Sequence, residues 1–472
     1  MKRFLGRDGT VARLAELLRL TPFDTSSPEG RSKERNRRIL LGTITNFLAR
    51  GVSMLVNLLV VRVVFGRLGR DEYGLWVAIT SFVIWTSLFD FGILNGLVNA
   101  VAEAYGKEDR NAIVGHVSTA FYFLLAATIV LLVGSFLLAG RIQWSEVFSA
   151  RGLVDESTME WSVLAAVVPI LAALPLSIVR QVYAGLQKPY LGNVFVVASS
   201  LLTLVATWTA VGLGASLPGL VLATGVGAPI AALLNLVYLV NIEMPWITPR
   251  LSLVSLEAMR RLLQSSVPLF LFQLGALLVN NTQPLLLAHL TSLSTVGDYS
   301  LLLRLSGLLG SITVLATSSF VPAFREAHER GDRDWVRRSF RRMLGLRLAM
   351  VLPMGVALVL GGNAILRIWL GQDSIRFTTP IWLTLAAVMA FSAWGTAFSA
   401  LLTIMDRIWI QVGFVLLNGA TTVLLTIWLA PAIGVLGALV ALGFTPVAIW
   451  SWAGPALSRP TLRLSAGSAP VT

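Results

Sequence analysis

Apolar residues run along this chain in blocks, broken by short basic or polar joints. About 20 apolar residues cross the hydrocarbon of a bilayer as a helix. Runs of that length fall at roughly 39–66, 73–99, 115–140, 160–184, 189–213, 217–241, 264–290, 297–320, 343–362, 377–403, 407–430 and 432–455. The pattern predicts about twelve transmembrane helices in an all-α integral membrane protein. Only the joint around Pro431 separates the last two runs. Residues 11–20, VARLAELLRL, set Val11, Leu14, Leu17, Leu18 and Leu20 against Arg13 and Arg19. That spacing suits a helix on the membrane surface or a solvated basic tail. LEAMRRLLQ at 256–264 also has helical spacing and is expected to lie along the inner surface.

One phrase occurs twice. Val98, Ala100, Glu103, Ala104, Asp109 and Arg110 recur at the same spacing as Val321, Ala323, Glu326, Ala327, Asp332 and Arg333. Upstream, LGRDEYGLW (68–76) is echoed by LSTVGDYSLL (293–302). The echoes fall at corresponding ends of the second and eighth runs. Runs one to six and seven to twelve therefore read as two copies of one unit. Six is even, so both copies cross the membrane in the same direction, related by a pseudo-two-fold along its normal. The expected organisation is a basic cytoplasmic segment (1–38), an N-lobe (39–241), a cytoplasmic linker (242–263), a C-lobe (264–455) and a cytoplasmic tail (456–472). In transporters of this design, the seam between lobes holds the substrate near mid-membrane.

Composition agrees. Hydrophobic residues make up 56% and charged residues 13%, against about 25% charged in soluble domains; the mean hydropathy is +0.76. No cysteine is present, which excludes disulfides and thiolate metal sites. His116, His289 and His328 have no ligand spacing, so neither metal nor cofactor is expected. The net charge of +13 could suggest nucleic acid, but its distribution argues otherwise. With the N-terminus inside, inner segments hold 28 Lys and Arg and outer ones six, leaving Arg50, Arg62 and Arg304 within runs. That asymmetry places both termini in the cytoplasm. Residues 1–38 carry ten Lys or Arg and no apolar core, unlike a signal peptide. No P-loop is present, and the outer joint 141–160 has no defensible catalytic acid pair, so a transporter is expected rather than an enzyme.

Polar residues inside lipid are costly and mark function. Arg50 and Asp90 fall at similar depth, roughly 15 Å from the inner face, on neighbouring runs. Two readings stand side by side: Arg50 holds an anionic group while Asp90 orients it, or the two form an ion pair fixing helix to helix. Arg304 is a second cationic point, or it snorkels outward. Arg62, Arg180 and Arg347 lie near run ends and read as snorkelling. In VNNTQP, Asn280, Asn281 and Gln283 precede Pro284, which suggests a hinge whose amides meet sugar hydroxyls. Pro169, Pro175 and Pro229 are further kink candidates.

Residues 40–83 followed by DFGILNGLVNAVAEAYGKEDR, then LLLAHLTSLSTVGDYSLLLRLSGLL, VPAFREAHERGD and ILRIWLG, resemble the polysaccharide transport proteins, the Wzx-type flippases. These belong to the multidrug/oligosaccharidyl-lipid/polysaccharide exporter superfamily. The resemblance covers about residues 38–455 and marks that superfamily more than any one substrate. It implies a cationic cavity between two lobes. The implied activity is flipping a polyprenyl-diphosphate-linked oligosaccharide to the outer leaflet of a bacterial inner membrane, beside membrane lipids and glycan-assembly proteins. Asp90-Phe91-Gly92 resembles the family's D-x-G segment. Asn281 and Gln283 stand where members often carry an acid, which argues against a cation site there. The alternatives are a multidrug or cation antiporter of the same superfamily, the fourteen-span lipid II flippase branch, and, more distantly, a membrane-embedded glycan polymerase or ligase.

Overall fold

The computed structural model describes residues 19, 21, 23, 24, 26–317, 320–371, 375–405 and 407–462. The amphipathic stretch at 11–20 lies, Arg19 apart, outside them. All regular elements among the described residues are helical.

Helix α1 (Pro28–Ile84) starts at Ser27, whose hydroxyl accepts the Gly30 amide at 3.0 Å. Pro28 supplies a helical φ and Glu29 meets the positive end of the helix dipole. The chain turns inside α1 at Gly69, with φ 76° and ψ −172°, a backbone open to glycine alone at low cost. A 3₁₀ segment, Trp85–Asp90, then leads through Phe91 (φ 48°) and Gly92 (φ 76°) into α2 (Ile93–Gly106). The N-terminal half continues with α3 (Arg110–Ala139), a single turn at Trp144–Val147, α4 (Glu156–Leu176), α5 (Ile178–Gly185), α6 (Pro189–Gly212), α7 (Leu217–Gly225) and α8 (Gly227–Tyr238). The breaks after α4 and α7 fall beside Pro175 and Pro229, as their missing amide donors require.

The second half comprises α9 (Leu256–Asn281), α10 (Gln283–Leu290), α11 (Leu293–Thr317), α12 (Phe320–Glu329), α13 (Arg333–Leu370), α14 (Thr379–Ile404), α15 (Ile408–Thr445) and α16 (Ala453–Leu462). Residues 256–264 are helical, as expected, and set at 55° to residues 266–290. This bend lies upstream of the hinge expected at Pro284. It lies just before Pro268, whose ring removes the bond to Gln264, while Pro284 stands in the first turn of α10, two residues after the interruption at Thr282, whose backbone keeps helical angles (φ −80°, ψ −32°). By length and composition, eight helices among the described residues could cross a membrane, or nine if this bent pair is one span. Two of the eight each carry two expected runs across a turn, at Gly69 and at Ile433–Gly434. Helix α11, bearing Asp298 and Arg304, is not among the eight.

The apolar core is forked. One cluster joins both halves, with Val60, Val64 and Tyr73 of α1 packed among Val296, Tyr299 and Leu302 of α11 and Leu366 of α13. At the other end there are two separate clusters. Ile93, Leu97, Val101 and Tyr183 gather in the first half with Leu262 from α9, and Phe324, Phe340 and Phe398 in the second. In lipid, helices associate mainly through close packing of small residues. At the joined end Gly74 lies against Leu293 so closely that a Cβ would sit 1.8 Å from its carbonyl oxygen. We call the joined end outer and the forked end inner, following the charge bias of the loops.

Candidate functional site

At the inner end lies a chamber of about 1000 Å³, lined by the first half and by Ser311 of the second. Helix α1 lines it with Arg35, Arg38, Gly42, Asn46, Arg50 and Ser53, a spacing of three or four residues that keeps one face turned inward. Arg180 and Gln181 of α5, Gln187, Asn193 of α6, Ser311 of α11 and Thr43 of α1 complete its polar lining. Four arginines line it and no carboxylate does. Two side-chain contacts clamp α1 to α6: Asn193 Nδ2 donates to Thr45 Oγ1 at 3.0 Å, and the Ser53 and Ser200 hydroxyls meet at 2.7 Å.

The arginines differ in their partners. Arg38 donates to Glu34 at 2.9 Å and to the Tyr105 hydroxyl at 3.3 Å. Among the described residues, Arg50 donates only to the neutral Asn46 Oδ1, at 3.2 Å, and neither Arg35 nor Arg180 forms an ion pair. Guanidiniums offer donors in a fixed fork that matches phosphate oxygens, and these three keep that capacity free.

At the chamber mouth, Glu34 is buried beneath Arg37, which grips both its oxygens at 2.8 Å. Burial pushes this carboxyl up, but the hydrogen bonds from Arg37, the Phe23 amide and Arg38 outweigh it and hold it at about 2, from an ordinary 4.5. A group depressed in this way stabilises the fold at pH above 4.5 and loses that contribution as pH falls through about 2. Glu34→Gln should therefore lower the melting temperature at pH 7 and flatten the acid limb of a pH–stability profile. The expected cost at neutral pH is about 1–3 kcal/mol, because two charge-assisted hydrogen bonds from the buried Arg37 lose their charged acceptor. A variant with the parent's Tm and acid limb would show that Glu34 does not anchor this end.

Of the residues singled out from sequence, Arg50 lines the chamber, and so does Arg180, which had read as snorkelling. Asp90 is buried, and its Oδ1 accepts the Gly92 amide at 2.9 Å, capping the left-handed turn through Phe91 and Gly92. It makes no pair with Arg50. Arg304 lies two helical turns outward of Ser311, about 10 Å. Its Nη1 donates to Asn57 Oδ1 at 3.0 Å, and its guanidinium stands 5.3 Å over Trp76. It thus joins α11 to α1 rather than facing the chamber or the lipid. Asn280 is exposed and donates to the Ala276 carbonyl, and Asn281 is half-buried. Gln283 is fully buried and accepts from the Thr426 hydroxyl at 2.7 Å, tying α10 to α15. Arg347, read as snorkelling, is in fact buried.

Sequence reasoning missed the outer seal. Arg70 Nε donates to Asp298 Oδ1 at 3.0 Å across the two halves, and a second Arg70 nitrogen takes Oδ2. The Tyr73 hydroxyl meets Ser300 at 3.4 Å, and Trp369 Nε1 donates to the Leu58 carbonyl at 2.9 Å. Both members of the ion pair lie in the echoed strings at 68–76 and 293–302, which was the available signal. Arg35 and Arg38 were hidden because residues 1–38 read as a tail, although α1 begins at Pro28.

The fold has known counterparts. A multidrug resistance MATE family transporter of the MOP superfamily, in its inward-facing conformation, matches with a TM-score of 0.74 at 13% identity over 88% of this chain and 96% of that one. An outward-facing conformation of such a transporter matches at 0.60 and 13% identity, over 91% and 97%. The lipid II flippase MurJ, inward closed, matches at 0.67 and 12% identity, over 89% and 87%. At these identities the likeness is one of fold, and it is the fold of MOP-superfamily transporters. A Salmonella typhi protein described as a candidate O-antigen transporter is 27% identical over 105 residues, so the match spans 22% of this chain and only 24% of that protein's length. The polysaccharide biosynthesis protein family matches residues 39–328, more than half of the chain. This multi-pass membrane protein, with the helical fold anticipated from its apolar runs, is therefore a member of the polysaccharide biosynthesis protein family.

Proposed function

We propose that the protein is a flippase that moves a polyprenyl-diphosphate-linked oligosaccharide from the cytoplasmic to the outer leaflet of the bacterial inner membrane. One observation carries this reading: a chamber open at the inner end whose charged lining is all arginine. Arg50, Arg35 and Arg180 take the diphosphate through charge-assisted hydrogen bonds, and the polyprenyl tail stays in lipid. The lobes 39–241 and 264–455 rock about the seam, with both termini cytoplasmic. A multidrug antiporter carries cations, and this lining repels them; that reading ranks second.

Vesicles holding the purified protein test the assignment. Polyprenyl diphosphate bearing a fluorescent saccharide should cross, and the matching monophosphate should cross at least tenfold more slowly, having lost part of the charge that the arginines hold. Equal rates for the two lipids, or faster uptake of a lipophilic cation than of either, would overturn the proposal.

A further inference from the structure

Arg347 of α13 is 4% exposed. Its Nε donates to Thr317 Oγ1 and its Nη1 to Thr396 Oγ1, both at 2.9 Å, and both acceptors are neutral hydroxyls. Burying a guanidinium without a carboxylate is costly, and an ionisable residue kept inside a membrane helix calls for a functional reason. Thr396 is also part of a pattern. Ser392, Thr396, Ser399 and Thr403 follow each other on α14 at spacings of four, three and four, which stacks them on one face of its inner half. Ser392, Thr396 and Thr403 are exposed. Gln411 of α15 braces the stripe, accepting from Ser399 at 2.7 Å and donating to Thr403 at 3.0 Å.

The direction of this face follows from the other half of the helix. There, past the first turn, the exposed residues are Leu383 and Ala387, which line an apolar groove with Leu352, Val356 and Leu360 of α13. At 3.6 residues per turn, Ser392 points about 180° from Leu383. An apolar exposed face belongs to lipid, so the hydroxyl face turns away from lipid, into the cleft between the prongs.

We propose that the inner half of α14 is a saccharide-binding wall, with Arg347 as the positioning residue that holds Thr396 and Thr317 from behind. This rests on the flippase reading: the arginine chamber takes the diphosphate and the wall takes the glycan. Thr396 and Thr403 donate their O–H to the Ser392 and Ser399 carbonyls at 2.8 and 3.0 Å, which leaves their oxygens to accept from sugar hydroxyls, while the Ser392 hydroxyl can donate or accept.

The test is a ratio. Affinities of the purified protein are measured for bare polyprenyl diphosphate and for lipid-linked oligosaccharides extracted from its own cells. The parent should favour the glycan-bearing lipid about tenfold, the worth of one or two net hydrogen bonds. Ser392→Ala combined with Thr396→Val should bring the ratio to about one, Arg347→Gln should lower it, and Arg347→Lys should restore part of it. A parent-like ratio in the double variant overturns the wall while leaving the chamber standing. Failure of the parent to hold bare polyprenyl diphosphate overturns the chamber, and the wall with it.

Discussion

Exchanging Arg35, Arg50 and Arg180 together for glutamine is expected to abolish export while leaving the protein folded in the membrane. Glutamine keeps polarity and much of the length but removes the charge. Each hydrogen bond to a charged partner contributes about 1.5–3 kcal/mol, so losing three should weaken diphosphate binding by about 5 kcal/mol, beyond 10³-fold. None of the three carries an ion pair in the structure, so their removal strands no buried carboxylate. Folding should therefore survive, with Tm within about 2 °C of the parent, since surface-type substitutions usually change stability by less than 0.5 kcal/mol. The single variant Arg50→Ala should show the largest individual loss, because Arg50 sits deepest along the lining face of α1. Flux assays in vesicles, normalised to folded protein, decide the matter. Parent-like flux in the triple variant would remove the basis for an anionic cargo.

The second large effect concerns the outer seal. Gly74→Ala should open it. A Cβ there meets the Leu293 carbonyl oxygen at 1.8 Å and the Gly297 amide nitrogen at 3.2 Å. Both are backbone atoms and cannot rotate aside, so α1 and α11 must separate. The chain contains no cysteine, so Ser300→Cys supplies a lone reporter at a position only 7% exposed beside Tyr73. A membrane-impermeant maleimide added from outside should label this reporter slowly in the parent and more than tenfold faster with Gly74→Ala. Arg70→Ala should act in the same direction but less strongly. It removes the partner of Asp298, a buried carboxylate, yet Arg70 itself is half exposed and its pair is partly screened. Unchanged labelling in a folded Gly74→Ala protein would show that the outer end is not held by this contact.

The fold class was legible because lipid leaves so few options. Long apolar runs and a lopsided distribution of Lys and Arg report on the bilayer itself, not on packing. The site was legible only in part. Arg50 could be found because a charge deep in an apolar run has few structural excuses. Asp90 met the same criterion for a different reason: its carboxylate caps a turn at a D-x-G, and run-based depth cannot distinguish a cap from a ligand. Arg304 and Gln283 were also polar for structural reasons, since each ties one helix to another. Arg180 and Arg347 have the same sequence signature, near an inner run end. One faces a chamber and the other lies buried behind two threonines, because helix rotation rather than depth separates them.

The forked core has a kinetic consequence. Apolar side chains from both halves interlock at one end only, so on the proposed flippase reading the empty protein would rest with its mouth toward the compartment where the cargo is assembled. Leaving that posture requires prising the interlocked end apart, and only a ligand that binds the alternative arrangement more tightly can shift the balance. An unloaded carrier would therefore idle rather than cycle, and throughput would follow the supply of its cargo.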